Sequence, residues 1–140
     1  MNSQATLDDL NEVLRRSPFL LGQGFEAVAC SAGSCSLRVA YDESRLRPGG
    51  RISGMTIMGA ADVAVWLAIM TVRGTGETWV TSDMKTTFLR GACGESLICS
   101  ATLLSHDHRM AYAVARTESA ATGIIAHHVV HYAAIGSLSG

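Results

Sequence analysis

Three features of this sequence predict an α+β domain in which a curved antiparallel sheet wraps around one long central helix. The first is the stretch over residues 54–72, GMTIMGAADVAVWLAIMTV, which is apolar on every side and carries one charge, Asp62. The second is the run of Val-, Ile-, Thr- and Leu-rich segments that follows, whose period changes from helical to strand-like. The third is the shortness of the connections between those segments, which favours antiparallel strands because parallel pairs need long crossovers. A sheet around the helix buries it on most sides and leaves the helices segregated to one face. At 140 residues the chain has the size of one domain, and residues 1–140 are read as a single unit.

Residues 6–16, TLDDLNEVLRR, form the first expected helix, with Thr6 as cap, acidic residues in the first turn and arginines in the last. Leu7, Leu10, Val13 and Leu14 supply its apolar stripe, and Pro18 marks the exit. Two strands are expected at residues 25–31 and 34–41, joined by a tight Ala32-Gly33 turn. Residues 42–50, DESRLRPGG, read as a polar loop ending in strong turn residues. The central helix starts after Ser53, a good N-cap, and stops near Arg73-Gly74. Four strands complete the chain at residues 77–90, 95–105, 109–119 and 124–135, each expected beside its sequence neighbours.

Composition excludes several classes. With 48% apolar and 16% charged residues the chain can bury enough surface to fold, which rules out disorder. A net charge of −1 argues against nucleic-acid binding. So few charges imply that partner subunits cover much of the surface, and a homo-oligomer is expected. A membrane span at residues 54–72 is disfavoured, since a central carboxylate costs about 2.5–3.5 kcal/mol in the bilayer. The four cysteines show no zinc or redox spacing, and the N-terminus lacks a signal-peptide pattern. Reduced thiols in a cytoplasm are the expectation.

Asp62 is the most informative residue. Its helical neighbours Met58, Gly59, Val65 and Trp66 offer no charge partner. Burial there disfavours the charged form and leaves a poorly solvated base or nucleophile; the alternative is a structural Asp bonded to backbone or facing a polar interface. At the helix start, Gly54 and Met55 follow the cap with unpaired N–H groups, which can hold a developing oxyanion. Eight residues separate Gly54 from Asp62, roughly 12 Å along the axis. If both act on one substrate, they come from different subunits of an antiparallel dimer.

The segments GRISGMTIMGAADVA, TSDMKTTFLRGACGESLICSATL and HRMAYAVART resemble the hotdog-fold acyl-CoA thioesterases, especially the phenylacetate-pathway and 4-hydroxybenzoyl-CoA branch. The resemblance covers roughly residues 35–135. It implies a hotdog fold and hydrolysis of a small or medium acyl-CoA by a dimer or a dimer of dimers. It implies no metal or redox cofactor, with coenzyme A only as part of the substrate. Asp62 matches the family's helix carboxylate, which activates water or attacks the thioester, and Gly54 matches its oxyanion donor. The family commonly has His-Gly-Gly where this chain has Ser53-Gly54-Met55, and Asn or Gln where it has Arg47. Ser53 then replaces one hydrogen bond, and Arg47 meets an anionic acyl group or the CoA phosphates.

Arg90 and Arg109, at strand ends, are further candidates for CoA phosphates, as is Arg116. Trp66 and Trp79 are candidate acyl-pocket walls, while Ser82 and Thr86 are expected to face the thioester. His106, His108, His127, His128 and His131 lack a zinc spacing and are expected at the surface or an interface. Cys93 has no base near it in sequence. The competing function is a non-catalytic hotdog protein that binds an acyl or aromatic ligand. A related dehydratase or hydratase acting on the acyl chain is disfavoured because the central helix and its entry carry no histidine.

Overall fold

Residues 5–135 are described by the structure, a computed structural model. Helix α1 (Leu7–Arg16) opens with a reciprocal cap: Asp9 N donates to Thr6 Oγ1 at 3.2 Å and Thr6 N to Asp9 Oδ2 at 2.9 Å. Its buried Leu10 and Leu14 face the core. Asn11 reaches from α1 to strand β1 (Phe25–Ser31), accepting from Ala27 N and donating to Ala27 O, both at 2.9 Å. That amide satisfies both backbone groups of Ala27, beside a register irregularity between Ala27 and Ala29, so α1 protects an otherwise bare sheet edge.

Strand β2 (Ser34–Val39) returns through Ala32-Gly33, where Gly33 has φ 80°. It stops two residues short of the expected end, and a short 3₁₀ turn follows at Glu43–Arg45. The expected polar loop is partly ordered. Pro48-Gly49-Gly50 folds it back on itself, pairing β3 (Leu46–Arg47) with β4 (Arg51–Ile52). Gly49 and Gly50 both have positive φ, at 100° and 79°, which this turn requires.

Helix α2 (Gly54–Arg73) packs against one six-stranded sheet ordered β1-β2-β6-β7-β8-β5. The remaining strands are β5 (Thr78–Phe88), β6 (Leu97–His106), β7 (Met110–Ser119) and β8 (Gly123–Ile135). All pairs in this sheet are antiparallel. Alanines line both sides of the contact: Ala60, Ala61, Ala64 and Ala68 on the helix, Ala101, Ala113 and Ala115 on the sheet. Such small side chains let the helix lie close to the strands, while Leu37, Leu97 and Val130 fill the layer around them.

One expected pairing is wrong. The segments at 77–90 and 95–105 are antiparallel but not neighbours, because β5 crosses to the far edge and pairs with β8. The crossing loop passes the start of α2, where Ile52 N donates to Ala92 O at 2.7 Å. A short connection thus fixed strand direction but not adjacency. The helix is also not enclosed all round. Along one stripe Met55 is 85% exposed, and Met58, Gly59, Asp62 and Trp66 are half-buried. In composition and length α2 could cross a membrane, yet most of its apolar length is buried within this chain.

Candidate active site

Ser53 caps α2 as expected, and that cap decides which helix-terminal donors remain. Its Oγ accepts Met55 N at 3.1 Å, and its carbonyl accepts Thr56 N and Ile57 N at 3.1 and 3.2 Å. Met55, expected to offer a free N–H, is therefore occupied. Among the described residues the Gly54 N–H has no acceptor. It sits at the positive end of a twenty-residue helix, where a developing negative charge is favoured.

Gly54 also lies close to an aromatic ring. A Cβ there would come within 3.2 Å of Phe88 Cζ, at the end of β5. Together Gly54 and Phe88 border a cavity of about 390 Å³ that Arg47, Arg51 and Arg90 also line. The expected Arg47 and Arg90 are thus brought to the helix start. Arg51, unforeseen, joins them because the β3–β4 turn carries it there.

Two turns along the same stripe, Asp62 is held through one oxygen. Thr81 Oγ1 donates to Oδ1 at 2.6 Å, and Tyr132 OH lies 2.8 Å from Oδ1 and 2.8 Å from the Asp62 carbonyl. Among the described residues Oδ2 has no hydrogen-bond partner, so it is the oxygen free to meet a substrate. Burial, reinforced by the Asp62 charge, pushes the Tyr132 hydroxyl well above the ordinary phenol range. Tyr132 stays protonated and acts as a permanent donor. Asp62 is consequently not a carboxylate sealed in an apolar core. It is half-buried, oriented by two hydroxyls, with one face open.

Sequence reasoning missed both donors. A signal for Tyr132 exists: on β8 it shares parity with the core residues 126, 128 and 130, and a buried tyrosine hydroxyl needs a polar partner. Thr81 was hidden by a bulge between Thr81 and Asp83, which shifts the strand's facing pattern by one residue. That bulge leaves Ser82 without a cross-strand partner and exposed.

Thr86 does not point to a thioester either. Its hydroxyl lies 2.7 Å from His128 Nδ1, whose Nε2 lies 2.9 Å from Thr117 Oγ1. His128, expected near the surface, is fully buried, and burial foremost, with His127 second, lowers its pKa to about 4. No group of histidines, cysteines and carboxylates suited to a metal occurs among the described residues. Trp66 stacks loosely on Phe19, centroids 6.2 Å apart, on the Asp62 stripe. Trp79 is core, bonded to Glu77. Arg109 starts the turn into β7, where its carbonyl accepts Ala134 N near the end of β8. Within one chain it is therefore at the opposite end of the sheet from Gly54. Arg116 pairs with Glu118 at 3.2 Å.

Residues 49–119, just over half of the chain, match the family model described as Thioesterase superfamily. No curated protein matches the sequence. Among solved structures it is similar to a thioesterase from Haemophilus influenzae, 18% identical with TM-score 0.86, covering 98% of this chain and 95% of that one. It is similar to zebra fish thioesterase superfamily member 2, at 23% identity and TM-score 0.81, over 92% of this chain and 98% of that one. A phenylacetic acid degradation-related protein from Ralstonia eutropha aligns at 18% identity and TM-score 0.78, over 89% and 98%. These likenesses establish the hotdog arrangement of sheet and helix.

Proposed function

This chain belongs to the thioesterase superfamily, and on that footing we propose that it hydrolyses a small or medium acyl-CoA thioester at a site shared by two subunits. The observation that carries the reading is the pairing of two groups on one uncovered helix stripe: a free Gly54 N–H and an Asp62 carboxylate oriented through Oδ1. Roughly 12 Å of helix separates them, too far for one carbonyl carbon to meet both. An antiparallel partner solves this, because a two-fold axis level with Met58 and Gly59 sets each Asp62 near the partner subunit's Gly54. Strand β5 is the sheet edge such a partner would meet, and Val80, Phe88 and Leu89 are exposed along and just beyond it.

In this mechanism the thioester carbonyl accepts from the partner's Gly54 N–H. Asp62 Oδ2 either takes a proton from water as the water attacks, or attacks the carbonyl carbon itself. Negative charge collects on the carbonyl oxygen, where the helix end stabilises it, and the CoA thiolate departs; where Asp62 attacked, water then cleaves the resulting anhydride, releasing the acid and restoring the carboxylate. In the antiparallel dimer the partner's Arg109 comes to the end of the sheet where Gly54 lies, within range of the CoA phosphates. A CoA thioester and unpaired cysteines fit a reducing cytoplasm.

The test is Asp62→Asn assayed by thiol release. Hydrolysis should fall by about 10²–10⁴-fold, with melting temperature and oligomeric state retained. Full activity in that variant contradicts the mechanism. If no acyl-CoA is turned over by wild type, but such ligands raise its melting temperature, the chain is a binding protein instead.

A further inference from the structure

The cavity at the start of α2 carries more positive charge than an uncharged acyl group can use. Arg47, Arg51 and Arg90 line it, and no carboxylate does. None of the three is ion-paired among the described residues, whereas every other described arginine except Arg109 has an acidic partner. Two of them are held in position. Arg90 Nη1 donates to Ile124 O at 3.2 Å. Arg51 lies along the bare backbone of Gly91, where an added Cβ would meet its Cδ at 3.1 Å and its Cζ at 3.3 Å. Apolar side chains share the lining: Ile52, Ile57, Phe88 and Leu89.

We propose that this cavity reads a carboxylate on the acyl group, so that the preferred substrate is the monothioester of a short dicarboxylic acid. The inference rests on the thioesterase reading above and deepens it. Geometry decides between the two anions that arginines could meet here. The oxyanion donor, Gly54, borders the same cavity, so groups close to the reacting carbonyl occupy it. In a CoA thioester the first phosphate is separated from sulfur by an uncharged pantetheine arm about 15 Å long when extended. A carboxylate at the far end of a six-carbon acyl chain is only about 6 Å from the carbonyl. Its methylenes suit the Ile52, Ile57 and Phe88 wall, and its oxygens suit the planar, two-pronged donors of arginine.

The experiment compares adipyl-CoA with hexanoyl-CoA, equal in chain length, and the same two acyl groups carried on N-acetylcysteamine, which has no phosphate. The expected result is a preference for adipyl of tenfold or more in kcat/KM on both carriers. Arg51→Gln should reduce that ratio on both carriers, and Gly91→Val, which displaces Arg51, should do the same. A ratio near one on both carriers overturns the proposal. So does an Arg51→Gln effect confined to the CoA substrates, which would assign the arginines to phosphate. Calorimetric binding to Asp62→Asn gives a readout independent of turnover: adipyl-CoA should bind tenfold tighter than hexanoyl-CoA, and equal affinities contradict the proposal. Hydrolysis without preference thus sinks this inference alone, whereas preferential binding without hydrolysis sinks the thioesterase reading alone.

Discussion

Asp62 and Tyr132 form the contact on which the proposed chemistry turns. The tyrosine hydroxyl bridges the side chain and the carbonyl of the same aspartate, while Thr81 closes on the same Oδ1. One oxygen is thus anchored and the other points outward. Tyr132→Phe removes an anchor without removing the reacting atom. We expect kcat to fall about tenfold with KM little changed, because Tyr132 orients Asp62 rather than touching substrate. Melting temperature should fall too, since the change costs about 1–2 kcal/mol of buried hydrogen bonding. A large rise in KM at constant kcat would assign Tyr132 to substrate binding instead. Single turnover in ¹⁸O-labelled water tests for attack by Asp62 itself: label in the protein carboxylate requires an anhydride opened by water at the Asp62 carbon.

At the scale of elements, helix α2 was legible because its signals agree: a capping serine, an unbroken apolar run and a terminal glycine. Hairpin β1–β2 was legible for the same reason, with its two-residue turn where expected. Strand order was not. Sequence reports the facing pattern and the length of each connection, whereas the jump of β5 to the far edge depends on how its loop passes the helix start. The candidate site was half legible by the same logic. Asp62 and Gly54 announce themselves locally, but Tyr132 is 70 residues from Asp62 along the chain and meets it only through the sheet.

Edge strand β5 is pinned inward by a polar relay, Thr86 to His128 on β8 to Thr117 on β7. His128 is held neutral in the fold, its pKa lowered to about 4 from the ordinary 6.5, chiefly by burial. A histidine that is harder to protonate when folded stabilises fully above the unfolded value. That contribution drains as pH falls from about 6.5 towards 4 and is worth on the order of 3 kcal/mol. Wild type should therefore lose melting temperature across that window, and His128→Gln should flatten the slope. Equal slopes in the two proteins would locate the acid sensitivity elsewhere.

At the scale of the whole molecule, the low charge content has a location. The exposed stripe of α2 and the unpaired edge of β5 are two surfaces this chain leaves uncovered, and on the proposed account a second copy covers both. Val80→Lys, on the exposed part of β5, should convert a dimer to monomer in sedimentation and abolish turnover at the same protein concentrations. Retention of activity by a verified monomer would mean that one chain holds a complete site.

The most direct test of the shared site mixes two inactive variants. Asp62→Asn lacks the carboxylate. Gly54→Pro lacks the N–H at the first helical position, where proline's backbone is tolerated, and Gly54→Ala, which keeps the N–H, controls for crowding against Phe88. Co-refolded in equal amounts, the two variants form mixed dimers in which one of the two sites has both groups intact. The account predicts recovery to about a quarter of wild-type activity, given random pairing. If mixed dimers form and no activity returns, Asp62 and Gly54 do not act across the interface, and the shared-site claim fails.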